Sequence, residues 1–119
     1  MAVTATETTH TSVKKIKLAW TSDGSGDATG ATSSAYDGKV IALVTVPAGG
    51  GSAPTDDYDI TLTDSDSVDV LIGGGANRDT ATTEVVAEAS LGAVAGSVLT
   101  FTVANAGATK AGTAYVYIR

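Results

Sequence analysis

Apolar and polar residues alternate from one end of this chain to the other. In VKKIKLAW, Ile16, Leu18 and Trp20 fall on one face, with Lys15 and Lys17 on the other. A period of two is that of a half-buried strand. ATSSAY and KVIALVTV flank Asp37-Gly38, a pair suited to the positive-φ positions of a two-residue hairpin turn. Within residues 39–46, Val40, Ala42, Val44 and Val46 share one face, and Ile41 and Leu43 share the other. A strand apolar on both sides is predicted to be central. YDITLTD turns Tyr58, Ile60 and Leu62 inward, and after a short turn SVDVLI returns with Val68, Val70 and Ile72 inward. In TTEVVAEAS the β-formers Thr82, Thr83, Val85 and Val86 compete with the helical spacing of Glu84 and Glu88, and a strand is predicted. SVLTFTVAN groups Leu99, Phe101 and Val103, while GTAYVYIR sets Val116 and Ile118 against Tyr115 and Tyr117.

Loops rich in Gly, Ser and Asp separate these segments: TSDGSGDAT, PAGGGSAPTDD and GGGANRDT. The count comes to about eight strands, and no helix-period segment is long enough to supply a parallel crossover. The predicted class is all-β, a single antiparallel β-sandwich or partly closed barrel, with Greek-key and jelly-roll connections both open. Residues 1–12, Thr-rich and poor in charge, are predicted to be an N-terminal arm or an edge strand, swapped onto a neighbour in one version. Residues 13–119 form the sandwich domain.

Composition refines this picture. Apolar content is built mainly from Ala and Val, with Trp20, Phe101 and four tyrosines as the only aromatic residues. A thin aliphatic core gains from self-association, which buries further area. Net charge is −6, and the excess lies wholly in residues 51–119. An acidic surface argues against nucleic acid as a partner. KKIK at 14–17 is the only basic cluster, and it reads as the solvent side of a strand with Ile16 inside. Cysteine is absent, which removes disulfides, thiol nucleophiles and thiolate zinc sites. MAVTATETTHTS lacks the apolar centre of a signal peptide, and the run VIALVTV is too short to span a bilayer. The expectation is a chain made in the cytoplasm, neither exported by the usual route nor anchored.

Chemistry has few candidates. DSDSVD carries acids at relative positions 1, 3 and 6, but Val68 and Gly75 stand where an EF-hand needs an oxygen at 5 and Glu at 12. The alternative to a calcium loop is that Asp64 and Asp66 cap a tight turn while Asp59 and Asp69 sit on the outer face of paired strands. His10 is the only histidine, lies in a polar segment, and has no G-x-S-x-G elbow to serve. Paired carboxylates suit a glycosidase, but a sugar cleft also needs aromatic platforms, which are scarce here. GGGAN at 73–77 lacks the ending of a phosphate loop, and GSGDATG at 24–30 misses the dinucleotide spacing. No catalytic, cofactor or metal residue is therefore predicted.

WTSD, KVIALVTVPAGGGSAPTDDYDITLTDSDSVDVLIGGGANR and LTFTVANAGATKAGTAYVYIR, taken in order over residues 16–119, resemble a family of small virion proteins of tailed bacteriophages. Its most specific parts are TVP at 45–47, APTDDYDITLTD at 53–64, DVL at 69–71, GANR at 75–78 and the NAG…K.GT ending from Asn105 to Thr113. Ser67 departs from the pattern, where Gly is expected after the acidic turn. The resemblance implies a repeated structural part of a phage particle, made in the host cytoplasm, non-enzymatic and without cofactor. Its first implied role is a capsid decoration or cement protein on the outer lattice, often a homotrimer, with the major capsid protein as partner and no nucleic acid or membrane. The runner-up role is another virion part, a tail or head–tail junction component; a third expectation, of a different class, is a carbohydrate- or calcium-binding sandwich for host attachment. Under the first role the acidic hairpin or the Thr-rich arm meets basic capsid surface. The candidate partner-surface residues are Asp59, Asp64, Asp66, Asp69, Leu71 and Arg78.

Overall fold

The computed structural model describes residues 2–119. Its strands are β1 Ala2–Thr9, β2 Lys14–Thr21, β3 Ala28–Pro47, β4 Asp59–Thr63, β5 Glu84–Ala87, β6 Ala93–Ala104 and β7 Ala111–Ile118. Hydrogen bonding orders them β1-β2-β7-β3-β6-β4, with β5 also on β3, and every pairing is antiparallel. The all-β antiparallel class is as the pattern predicts, with seven strands rather than eight and no closure into a barrel. Among the described residues, helical structure is limited to the 3₁₀ turns Gly50–Ser52 and Glu88–Ser90.

Alternation decides which side of each strand is buried. Ile16, Leu18 and Trp20 of β2, Ala114, Val116 and Ile118 of β7, and Leu99, Phe101 and Val103 of β6 all lie in one core. Ile60 and Leu62 of β4 join them, as does Tyr58, whose ring sits 5.5 Å from that of Trp20 at 47°. Gly112 faces Trp20 across the β2–β7 pair, and a Cβ there would stand 2.7 Å from the indole Cζ2. The missing side chain is what makes room for the indole.

The 20 residues of β3 would run to about 66 Å if straight, whereas the molecule is 38 Å along its longest axis. The strand therefore bends, and it does so at Asp37–Gly38. Ala28–Lys39 pairs with β6, which carries β4, in a small sheet. Val40–Pro47 pairs with β7 and β5 in a larger sheet that also holds β2 and β1. The predicted Asp37-Gly38 hairpin is thus corrected to a bulged corner inside one strand. Gly38 has φ 129° at a slip in the β3–β6 register, and a Cβ on it would lie 2.7 Å from the Arg119 carbonyl carbon. A positive-φ glycine after aspartate serves a bulge as well as a turn, and partner strands distant in sequence decide between them. Lys14 Nζ steadies the corner by donating to the Asp37 carbonyl at 2.6 Å.

Of the two other register slips in β3, one lies between Ala31 and Ala35 and the other between Val40 and Ala42. The latter corrects the predicted faces of this strand: Val40, Leu43 and Thr45 are buried together, while Ala42, Val44 and Val46 point outward. One extra residue inverts the alternation beyond it. Val40–Pro47 is nonetheless central, between β7 and β5.

β1 is an edge strand, paired with β2 from Ala2↔Thr21 to Thr9↔Lys14. Its inner side leans on the first half of β3, where Glu7 accepts hydrogen bonds from Ser33 N (2.8 Å), Ser34 N (3.0 Å) and Tyr36 Oη (2.7 Å). No backbone ladder joins β1 to β3, so one carboxylate bridges the two sheets there. Burial pushes the Glu7 pKa up, but the bonds from Tyr36, Ser33 and Ser34 outweigh it and hold the carboxyl below its ordinary value.

Candidate functional site

The acidic stretch after β4 folds into two successive turns, each organised by a carboxylate. Asp64 Oδ1 accepts from Asp66 N (2.9 Å) and Val68 N (3.0 Å), and Asp64 N donates to the Val68 carbonyl. This is the aspartate cap that turn chemistry predicts. Ser67, where Gly was expected, sits at φ 64°, in the region Gly occupies without steric cost. Asp66, predicted to cap the same turn, is corrected: it supplies its backbone N–H to Asp64, and its side chain is exposed in solvent at the tip.

Asp69 does more than stand on an outer face, and its predicted place is corrected. Oδ1 accepts from Leu62 N (3.1 Å) and Leu71 N (3.0 Å), and Oδ2 accepts from Gly73 N (3.0 Å). It thereby ties the end of β4 to the second turn. Asp59 also works as a tie, taking Asn77 N at 3.0 Å and Asn105 Nδ2 at 2.6 Å. Carboxylates that accept backbone N–H groups hold loops that lack a ladder of their own.

The returning segment is a pair of turns and not a strand, so its predicted alternation fails on both sides of Val70. Val70 is buried as expected, but Val68 is 56% exposed and Ile72 67% exposed. Leu71, expected on the partner surface, is fully buried in the core, a second correction with the same cause. Arg78 is corrected as well: its side chain is 14% exposed and ion-paired to Glu84 at 3.6 Å, with Nε donating to the Ala76 carbonyl. Of the six sequence candidates only Asp66 offers a free charged group at the surface. Asp59, Asp64 and Asp69 are committed to backbone, and Leu71 and Arg78 face inward. Ile72 has φ 50°, a strained conformation for a β-branched residue.

A second surface emerges only from the strand order. β7 lies between β2 and β3, so the outward positions of three distant segments meet. Lys17 stands beside Tyr115, Tyr115 beside Val44, and Val44 beside Val85; the next row runs Lys15, Tyr117, Ala42 and Ala87. Lys15 Nζ lies 5.1 Å from the Tyr115 ring centroid and 6.0 Å from that of Tyr117, within cation–π range. Val85 is 68% exposed. Only Ala, Thr, Val, Tyr and Lys occupy the outward positions of this sheet, so it presents a carboxylate-free, cationic face on an acidic molecule. A cleft of about 430 Å³ bounded by Thr4, Ala19, Val46 and Thr113 lies at its end. The outward phase of the lysines and of the tyrosines was legible separately, but their adjacency was not.

In the interior, Trp20 Nε1, Thr45 Oγ1 and Tyr58 Oη are buried without a well-formed hydrogen bond. Burial drives the Tyr58 pKa up to about 12, and nearby Thr45 opposes this only in part. Among the described residues no group of three or more His, Asp or Glu is placed to hold a metal ion. No protein-family model matches the chain, and no curated protein or solved structure matches it either.

Proposed function

We propose that this chain is a non-enzymatic structural protein of a tailed-phage virion, a decoration or cement protein bound to the outer capsid lattice through the major capsid protein. The observation that carries the reading is what the segments resembling that family build. APTDDYDITLTD, DVL and GANR form one pinned unit, in which Asp59, Asp64 and Asp69 serve backbone N–H groups. Such a use of acids supports a scaffold with displayed surfaces over a centre of catalysis. Copy number in purified virions tests it. Quantitative mass spectrometry and a cryo-EM map should find the chain at lattice-scale copy number on the capsid exterior. Particles stripped of it should lose resistance to heat and osmotic shock. A handful of copies at the tail or the head–tail junction would replace this reading with that of a tail or junction component.

A further inference from the structure

We infer that the carboxylate-free face of the large sheet is a self-association surface, and that its occupant is the 64–72 turn pair of a second copy of this chain. The inference deepens the virion reading and rests on it for the expectation of a homo-oligomer. Two features of one chain complement each other. The face offers Lys15 and Lys17 around Tyr115 and Tyr117, with Val44 and Val85 beside them. The turn pair offers the free Asp66 carboxylate flanked by Val68 and Ile72. Among the described residues the large apolar side chains left exposed are Val68, Ile72, Val85 and Val98, and three of these lie on one or other of these two surfaces.

Charge makes a second copy the fitting occupant. The chain has a net charge of −6, yet the outward strand positions of this sheet carry lysine and no acid. Opposed potentials steer and orient such a contact, while its aromatic and aliphatic centre supplies the area that leaves water. Ile72 adds an independent sign. Its backbone is strained at φ 50°, and Asp69 fixes the turn by holding the amides on either side of it, Leu71 N and Gly73 N. The Ile72 side chain rests on Gly92, where a Cβ would meet Ile72 Cδ1 at 3.0 Å, yet the residue stays 67% exposed, apolar area that a partner would cover. The two surfaces are different patches, so the contact is heterologous where the rotation closes into a ring, and reciprocal where two copies face each other.

Sedimentation of the isolated chain tests this apart from any property of the particle. Wild type should associate at about 100 µM, more weakly as salt rises. Lys17→Glu and Asp66→Lys should each weaken association at least about tenfold, and mixing the two variants should restore it through their matched reversed charges. Ile72→Asn should weaken association similarly without lowering the melting temperature, because Asn tolerates the left-handed backbone. A monomeric wild type, an Ile72→Asn variant that associates normally, or a charge-swapped mixture that stays dissociated would each overturn the inference. High copy number on virions together with a monomeric chain in solution would remove this contact and leave the decoration reading standing.

Discussion

On the outside of the small sheet, Thr61 stands beside Thr102 and Thr63 beside Thr100, with Thr29 completing a row on β3. On the outside of the large sheet, Lys17, Tyr115, Val44 and Val85 occupy the equivalent row. Both faces obey the same alternation, and both are made of residues that favour strands. They differ in what water does for them. A threonine hydroxyl is satisfied by solvent and its single methyl exposes little apolar area. The tyrosines and valines keep apolar surface wet that a partner would cover. Strand propensity therefore accounts for the threonine row, beyond which Val98 is 42% exposed on the same face, and for the second face only in part.

The largest expected effect lies beneath both faces. Phe101→Ala should cost about 3–5 kcal/mol in denaturant unfolding, because its ring packs between the sheets and a cavity would remain. If the cost is small, the two sheets do not share one core. Within the acidic turns, Asp69→Ala should cost about 2 kcal/mol, since three backbone N–H groups lose their acceptor. Asp66→Ala should change stability by less than about 0.5 kcal/mol. Equal effects for the two would contradict the division between tying and displayed acids.

Two pH limits probe the seam and the interior. The Glu7 carboxyl is held below its ordinary value in the folded state, so its contribution is complete above about pH 4.3 and lost as pH falls through the lowered value. Glu7→Gln should flatten that acid limb of a melting-temperature profile. Tyr58 is raised from 10.0 to about 12 by burial, so its contribution holds below pH 10 and fades as pH climbs towards 12. Tyr58→Phe should remove that part of the alkaline loss. Among the smallest effects, Ser67→Gly should stabilise by about 0.5 kcal/mol by relieving φ 64°. Thr102→Lys, on the hydroxyl face, should leave stability within about 0.5 kcal/mol and self-association unchanged, in contrast to Lys17→Glu on the other face.

Where a pleat runs uninterrupted, the sequence was a sufficient guide. Ile16, Leu18 and Trp20, and likewise Leu99, Phe101 and Val103, are buried as their spacing required. It misled where one residue changes phase. The slip at Val40–Ala42 inverts the faces of the second half of β3, and two carboxylate-capped turns replace the strand expected after Ser67. Asp37-Gly38 had the chemistry of a turn but met partner strands on both flanks. Of the site, the Asp64 cap and the solvent side of Lys15 and Lys17 were legible because they depend on near neighbours. The burial of Leu71, the pairing of Arg78 with Glu84 and the lysine–tyrosine adjacency depend on contacts between distant segments. No local pattern encodes those.

The position of β7 between β2 and β3 has a mechanical consequence. The N-terminal strand β1 has a ladder to β2 alone and is tied to β3 through the Glu7 carboxylate, so a pull across the open end of its hairpin, once those bonds give, unzips it from β2 one residue pair at a time. The C-terminal strand is gripped on both sides, and drawing it out means shearing two ladders at once. Load entering there also passes through the unbroken main chain of β3 into the small sheet. The molecule is thus a stiff anchor when held by its C-terminal end and a compliant one when held by its N-terminal end.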